Sequence, residues 1–272
     1  MNHRRPISVL TPVYNAENYI VESVESILNQ SFKDFEYILL DDASTDNTPQ
    51  IIKTLALKDS RIKFITNEKN LYIAGNRNKA LSLATGKYIV WQDADDISLL
   101  SRLEKQYEFM EKHLDVGICG SYLEFFSQEE GTTGVREYAT SDKELRSKIF
   151  RYSPVAQPSA IIRKSVLDKV GDYDLSMPPA EDLDMSFRIG MIAKFANIPE
   201  VLVKYREHPS SATFKKLRTI EKHTLRARFK YFKKGYKMTV IDVLYNIAQI
   251  ASLYMLPPKI RIHIFRYFRD RT

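Results

Sequence analysis

The sequence predicts an α/β fold: a Rossmann-like, mostly parallel central sheet flanked by helices, with a helical extension at its C-terminal end. Three observations carry that reading. Short β-rich runs alternate with helical patterns over the first hundred residues, the signature of parallel strands joined by crossover helices. The run Tyr37-Ile38-Leu39-Leu40 is apolar on both faces, as a central parallel strand requires. From about Thr213 the composition shifts to basic and aromatic residues at helical spacing.

Taken in order, Ile7–Thr11 is the first predicted strand, followed by a helix over Glu17–Gln30 whose buried face is Ile20, Val24, Ile27 and Leu28. Phe35–Asp42 is the second strand and ends on two carboxylates. Asp46 or Asn47 caps the next helix, with Ile51, Ile52 and Leu55 inward. Ile62–Thr66 is the third strand. A helix over Ala74–Ala84 follows, closed by Gly86 as a left-handed cap, and Tyr88–Gln92 is the fourth strand, again ending on carboxylates. Beyond Asp96 the pattern loosens into a helix over Ser98–His113, a strand near Val116–Phe126 and a polar loop, Ser127–Gly134. A strand at Ala160–Arg163, a helix over Glu181–Ala193 and an extended Glu200–Arg206 complete a body spanning 1–213, divided into halves 1–97 and 98–213. A basic amphipathic helical extension occupies 214–272.

Composition bounds the function classes. In a chain of 272 residues, 44% hydrophobic and 28% charged content match an ordinary globular protein and exclude collagen-like or disordered classes. The single cysteine, Cys119, excludes an intramolecular disulfide, argues against a structural zinc site and suits a reducing, cytoplasmic setting. Met1–Pro6 runs into the first strand without the apolar core of a signal peptide, so export is not expected. Residues 214–272 hold 15 Lys and Arg against 3 Asp and Glu, a net +12 that leaves the other 213 residues at −5. A basic tail on an acidic body suggests an anionic partner for the tail.

Ligands of open parallel sheets bind beyond the carboxyl ends of the strands. Asp41, Asp42, Asp93, Asp95 and Asp96 all fall on such ends, and five carboxylates in one region repel one another unless a cation balances them. A divalent ion bridging a diphosphate resolves the conflict, because Mg2+ or Mn2+ takes oxygen ligands and keeps positions open for phosphate.

Five stretches resemble glycosyltransferase family 2, whose members share the GT-A fold: Ser8-Val9-Leu10-Thr11-Pro12-Val13-Tyr14-Asn15, Leu40-Asp41-Asp42-Ala43-Ser44-Thr45-Asp46, Asn70 through Arg77-Asn78, Asp93-Ala94-Asp95-Asp96, and Glu181-Asp182. They keep the family's order and spacing over roughly 1–210. The resemblance implies an inverting, metal-dependent transferase that moves one sugar from a nucleotide-sugar, a UDP-sugar first of all, to a hydroxyl of a glycan or lipid-linked glycan in cell-surface polysaccharide synthesis. Residues 1–97 then bind the donor and 98–213 the acceptor.

Position by position, Thr11, Pro12 and Tyr14 look like the first donor-binding loop. Asp42, with Asp41 beside it, looks like the carboxylate that accepts from a uracil-like base, and Asn70 and Arg77 look like further donor contacts. Asp93, Asp95 and Asp96 are similar to the family's DxD-type motif, touching ribose and holding Mn2+ or Mg2+ on the diphosphate. Glu181-Asp182 matches the pair that ends in the catalytic base: an acceptor hydroxyl that attacks the anomeric carbon must lose its proton, which assigns Asp182 as base and Glu181 to orienting the acceptor. Tyr205-Arg206-Glu207-His208 resembles the segment closing over the diphosphate, with His208 as a metal ligand or a hydrogen-bond donor to phosphate. The plain structural alternatives are an exposed strand-end charge at Asp41, a turn and N-cap at Asp93–Asp96, a solvated helix charge at Arg77 and a helix start at Glu181-Asp182. Ala43 and Tyr72 stand where relatives carry glycine. Trp91 is the only tryptophan, so the Gln-x-x-Arg-Trp motif of processive synthases is absent and single-sugar addition is favoured.

In the extension, Thr213–Lys237 alternates cations with apolar residues, and Met238–Leu256 is mostly apolar with a polar stripe of Thr239, Asp242, Asn246 and Gln249. Only the 16 residues Val243–Pro258 lack charge, short of the ~20 that span a bilayer, which predicts an in-plane or packed helix. Arg261, Arg266, Arg269 and Arg271 interleave with Ile262, Ile264, Phe265 and Phe268. The expectation is peripheral docking on the anionic inner face of the plasma membrane, with a helical cap or a homodimer contact as alternatives. Two rival functions are weaker. A nucleotidyltransferase needs a glycine-rich basic loop where Thr11-Pro12-Val13-Tyr14-Asn15 stands. A nucleic-acid binder is not expected, because the tail carries no recognisable reading module.

Overall fold

Alternation along the first strands sorts the core into two layers. The computed structural model describes residues 5–208, 217–257, Ile260, Arg261 and Ile264. Strands β1 (Ile7–Val13), β2 (Phe35–Asp41), β3 (Ile62–Thr66) and β4 (Tyr88–Trp91) are parallel neighbours in the order β3-β2-β1-β4. Leu10, Ile38, Leu40, Ile89 and Trp91 face one side; Val9, Tyr37, Leu39 and Val90 face the other, as a two-residue period dictates. Helices α1 (Ile20–Leu28), α2 (Thr48–Lys58) and α4 (Arg102–Lys112) cover the second face through Val24, Ile52 and Leu103. The first is covered by α3 (Tyr72–Leu83) and by α7 (Glu181–Gly190) through Ala80, Phe187 and Ile189.

Past β4 the sheet becomes mixed. A two-residue strand β5 (Ile97–Ser98) precedes α4; then come β6 (Val116–Ser127), β7 (Gly131–Arg136), α5 (Asp142–Lys148), β8 (Ile161–Arg163), α6 (Lys164–Val170), α7 and β9 (Lys194–Arg206). The strand order continues β4-β8-β6-β9-β5, with β7 on β6; β8 is antiparallel to β4 and β6, whereas β6 and β9 run parallel. One sheet therefore runs through both predicted halves.

Several boundaries differ from the sequence reading. The first helix begins at Ile20 rather than Glu17, because the Ala16 carbonyl accepts from Tyr19 and Ile20 N–H and turns the chain there. Asn47 takes the cap position of α2, yet it is Asp46 Oδ1 that accepts from Thr48 N at 3.0 Å. Gly86 is not a left-handed cap: Ala84 ends α3 in extended conformation, and Gly86 is required because a Cβ there would lie 2.5 Å from Ser8 N. The polar segment Ser127–Gly134 is the turn of the β6–β7 hairpin and part of its strands, not a loop. α7 stops at Gly190, and the extended segment after it is longer than expected because β9 pairs with β6 along most of its length.

Helices α8 (Leu217–Lys233) and α9 (Val240–Met255) follow. Ala227 and Tyr231 of α8 are fully buried in the core, and the Tyr231 ring stacks on Phe187 with centroids 4.6 Å apart. Arg261, expected at an anionic surface, is instead buried in a pair with Glu221 at 2.8 Å. The boundary at 213 and Arg266, Arg269 and Arg271 lie outside the described residues.

Buried Glu36 ties the edge of this sheet together: it accepts from Ser8 Oγ at 2.5 Å, Thr85 N at 2.7 Å and Lys63 Nζ at 2.5 Å. Burial alone would raise its pKa, but these donors outweigh it and pull the value down to about 2. A depressed carboxylate stabilises the fold above its ordinary pKa and loses that contribution as pH falls toward 2. Glu36→Gln is expected to destabilise the protein by about 2 kcal/mol at neutral pH, the gap from wild type narrowing in urea denaturation near pH 3.

Candidate active site

The candidate site lies where the strand order reverses, between β1 and β4. β1 keeps its register with β2 to Val13↔Asp41 but parts from β4 after Leu10↔Trp91. Asp42 N donates to Val13 O at 2.8 Å, Asn67 N to Asp41 O at 2.8 Å and Gln92 N to Leu10 O at 3.0 Å. These bonds level the strand ends, so Asp41, Asp42 and Asp93 emerge along one edge of the sheet, at the position where α/β folds bind ligands.

On the β2 side, Asp42 is buried and its Oδ1 accepts from Asn67 Nδ2 and Leu71 N, both at 2.8 Å. Asn76 and Lys79 in turn hold Asn67, at 3.0 and 2.6 Å. Asp41 Oδ2 accepts from Ser44 N at 3.2 Å, while its buried Oδ1 has no hydrogen-bond partner among the described residues. Asn70 Oδ1 closes its own turn onto Tyr72 N at 2.8 Å. Tyr14 and Tyr72 are exposed, at 50% and 72%. Thr11 is placed otherwise than expected: it lies inside β1, fully buried, with its hydroxyl 3.1 Å from Tyr37 Oη, because the strand continues to Val13.

On the β4 side the acidic motif is held from behind. Gln92 Nε2 donates to the carbonyls of Asp93 and Asp96, and fully buried Arg102 donates to Gln92 Oε1 at 3.0 Å, Ser98 Oγ at 2.9 Å and Trp91 O at 2.8 Å. Burial lowers the Arg102 pKa to about 10, and the nearby charges of Asp96 and Asp93 favour its protonated form. Asp93 is pushed up to about 6 by burial, with Asp95 and Asp182 adding to the rise and Arg77 opposing it.

Asp95 Oδ2 lies 2.9 Å from His208 Nε2, whose ring sits 4.7 Å from Tyr19. Arg206 returns β9 to the motif, with N on Asp96 Oδ1 at 2.9 Å and Nε on Asp95 O at 2.8 Å, and it pairs with Glu22. One oxygen of Asp96 is thus engaged by the backbone, while its buried Oδ2 has no hydrogen-bond partner among the described residues. Asp96 is buried and braces β9, and burial beside Asp93 and Asp95 drives its pKa well above the usual range. Among the described residues no three His, Cys, Asp or Glu side chains close a metal cage. The Asp95–His208 pair, one oxygen and one imidazole donor, fits a Mn2+ or Mg2+ that draws its other ligands from phosphate.

Arg77 joins the two halves of the site. It is buried, its Nη1 lies 2.7 Å from Glu181 Oε1, and its guanidinium sits over the Trp91 and Tyr173 rings at 5.4 and 5.6 Å. Burial works against its charge, but Glu181, Tyr173, Asp93 and Asp182 more than restore it. Arg77 is thus a buried cation holding the catalytic-pair candidate rather than a solvated helix charge. Glu181 and Asp182 start α7; Asp182 Oδ1 accepts from Leu183 N at 2.7 Å. Both pKa values are raised by burial, with Arg77 pulling the other way.

The Asp182 charge reaches Asp93 and adds to the rise of its pKa, so a carboxylate of the second half lies within electrostatic range of the first half's acidic motif. The residues that sequence reasoning missed are Asn67, Asn76, Gln92 and Arg102, amides and a cation whose only signal was proximity to the carboxylate runs.

Residues 8–171 match the family model for Glycosyl transferase family 2. An uncharacterised glycosyltransferase of Methanocaldococcus jannaschii is 39% identical over 206 residues, 74% of this chain and 70% of its own. The UDP-Glc:alpha-D-GlcNAc-diphosphoundecaprenol beta-1,3-glucosyltransferase WfaP of Escherichia coli is 30% identical over 218 residues, 79% of this chain and 82% of its own. Among solved structures, the mannosyltransferase PcManGT of Pyrobaculum calidifontis, in complex with GDP-Man and Mn2+, superposes with a TM-score of 0.66 at 19% identity over 93% of this chain and 70% of that one, a likeness of fold. The chain spans less than two thirds of several other relatives.

Ala43 and Tyr72 have φ of +59° and +58°. A residue with a Cβ in the left-handed region is strained by roughly 1–2 kcal/mol, part of which glycine's greater unfolded-state entropy offsets. Ala43→Gly is accordingly expected to leave stability unchanged or raise it by up to about 1 kcal/mol, read as an equal or higher melting temperature; a clear drop would mean that the loop is not strained.

Proposed function

The chain belongs to glycosyltransferase family 2, and we propose that within it the protein transfers a single sugar, with inversion, from a UDP-sugar to a hydroxyl of a glycan or lipid-linked glycan. The observation that carries this reading is the gathering of Asp93, Glu181 and Asp182 around Arg77, next to the Asp95–His208 pair, at the point where β1 and β4 part. The named activity of the Escherichia coli relative supports a UDP-sugar donor and a polyprenol-diphosphate acceptor, and with them a role in cell-surface polysaccharide synthesis.

The base of the nucleotide would lie along the Asp41–Asp42 edge, with Asp42, beside Asp41, accepting from a uracil N–H. Asp95 and His208 would hold Mn2+ or Mg2+, as the Mn2+ complex of the Pyrobaculum neighbour also suggests. When bound, the ion neutralises charge on the departing diphosphate.

The remaining chemistry falls to side chains of this protein. Asp182 takes the proton of the acceptor hydroxyl as its oxygen bonds to the anomeric carbon and the bond to the diphosphate breaks on the opposite face. Burial raises the basicity of Asp182, and the Arg77 charge works in the opposite direction, favouring the ionised carboxylate. Glu181, fixed by Arg77, orients the acceptor beside it.

Two substitutions separate these roles. Asp182→Asn is expected to lower kcat by roughly a hundred- to ten-thousandfold while donor affinity by titration calorimetry stays near wild type; retained turnover would refute the assigned base. Asp95→Ala should weaken Mn2+-dependent donor binding by about tenfold or more. Because the base must be unprotonated and its pKa is raised, kcat/KM should fall on the acid side with a midpoint above the ordinary aspartate value of about 3.9.

A further inference from the structure

Helix α9 carries its polar side chains toward the protein and its apolar ones toward solvent. Asp242 accepts from Arg151 Nε at 2.8 Å, Asn246 donates to Phe150 O at 3.0 Å, and Arg228 of α8 donates to Asn246 Oδ1 and Gln249 Oε1 at 3.1 and 2.7 Å. A capping box of Thr239 and Asp242 fixes where the helix begins. Helical spacing then lines up Val240, Leu244, Ile247, Ala251, Tyr254 and Met255 in one stripe, every member of it exposed and none charged. Along 16 residues the stripe is about 24 Å long.

The neighbouring helix supplies charge. Arg218, Lys222, Arg226 and Lys233 form an exposed row on α8, turned away from buried Ala227 and Tyr231, and exposed Lys234 and Lys237 lie in the turn leading to α9. Among the described residues Arg218, Lys222 and Lys233 have no acidic partner.

We propose that α9 lies in the plane of an anionic phospholipid surface, its apolar stripe among the acyl chains and the surrounding cations on the headgroups. An uncharged apolar stripe this long on a solvent-facing helix marks a docking surface. No helix among the described residues is long and apolar enough to cross a membrane, which leaves in-plane insertion. Charge selects the occupant. A twofold contact with a second copy through this stripe would bring together two segments of net +12, whereas an anionic surface is drawn by the same charge. Docking would also place the catalytic helix a fixed distance from the lipid, because α8 joins α9 through Arg228 and joins α7 through Lys230 and Tyr231, which bond Asp184 at 2.6 and 3.0 Å. The inference goes beyond the transfer reaction and holds whatever sugar is moved.

Truncating the tail would strip Tyr231 from the core, so the test uses the full chain with exposed positions changed. In flotation with phosphatidylcholine vesicles, with or without phosphatidylglycerol, the wild type should bind the anionic vesicles at least about tenfold better than the neutral ones and lose affinity at high salt. The Leu244→Ser/Ile247→Ser double variant should keep the wild-type melting temperature and the wild-type affinity for UDP-sugar, yet bind anionic vesicles at least about tenfold more weakly. Equal binding by wild type and variant overturns the proposal. So does a wild-type dimer that the double variant dissolves while neither protein floats. Flotation without any Mn2+-dependent binding of UDP-sugar would refute the catalytic reading and leave the docking intact.

Discussion

The site depends on one buried cation. Arg77 comes from α3, in the first half of the chain, and Glu181 from the start of α7, 104 residues later, and their 2.7 Å contact is sealed between the Trp91 and Tyr173 rings. A pair removed from water is poor evidence of stability by itself, because desolvation consumes much of the Coulomb attraction. Here its consequence is placement. With Glu181 anchored, Asp182 has one position relative to β4, and the Asp93 carboxylate at the end of that strand lies in the same electrostatic field. Removing either partner would leave the other charged and buried, a penalty of about 3–5 kcal/mol that the arrangement can avoid only by keeping both.

A second cation acts from behind. Arg102 reaches the acidic motif through Gln92 and Ser98 rather than by a direct ion pair, so the Asp93 and Asp96 carbonyls are fixed without using the Asp93 and Asp95 side chains. The two arginines have separate roles, one setting the second half of the chain against the first and the other keeping a loop of three aspartates from springing apart. The strand register does the rest, since the bonds that pair β2 with β1 and β3 deliver Asp41 and Asp42 to the same edge without any side-chain contact to the acidic motif.

The first hundred residues were legible because their apolar periods are strong and their parallel strands end where carboxylates begin. Helix starts were harder. The first helix looked three residues longer because Glu17 fits a helical first turn, whereas Asp46 draws Glu17 N–H into a bond between loops at 3.2 Å. The site was legible as residue types in register and not as geometry. Sequence could nominate Arg77 and Asp96, but it could not tell that Arg77 turns inward to Glu181 or that one Asp96 oxygen holds the backbone of Arg206, because both outcomes are set by partners more than a hundred residues away. The two departures from the family's glycines were visible as letters, and their meaning lies in backbone angles, since Ala43 and Tyr72 hold left-handed conformations that glycine adopts without strain.

The tail shows the same limit from the other side. A polar stripe at helical spacing on an apolar helix ordinarily marks the wet face, and on that rule Asp242, Asn246 and Gln249 would point to water. The core reverses the rule because two arginines, Arg151 and Arg228, already stand at the surface on which the helix lands, with Arg228 almost fully buried. A buried guanidinium without acceptors is far more unfavourable than an exposed leucine, so the helix turns its few polar groups inward to satisfy them and its apolar side outward. The exposed apolar stripe of α9 is therefore the consequence of a polar interface, and the catalytic body sets the orientation of the face that it presents outward.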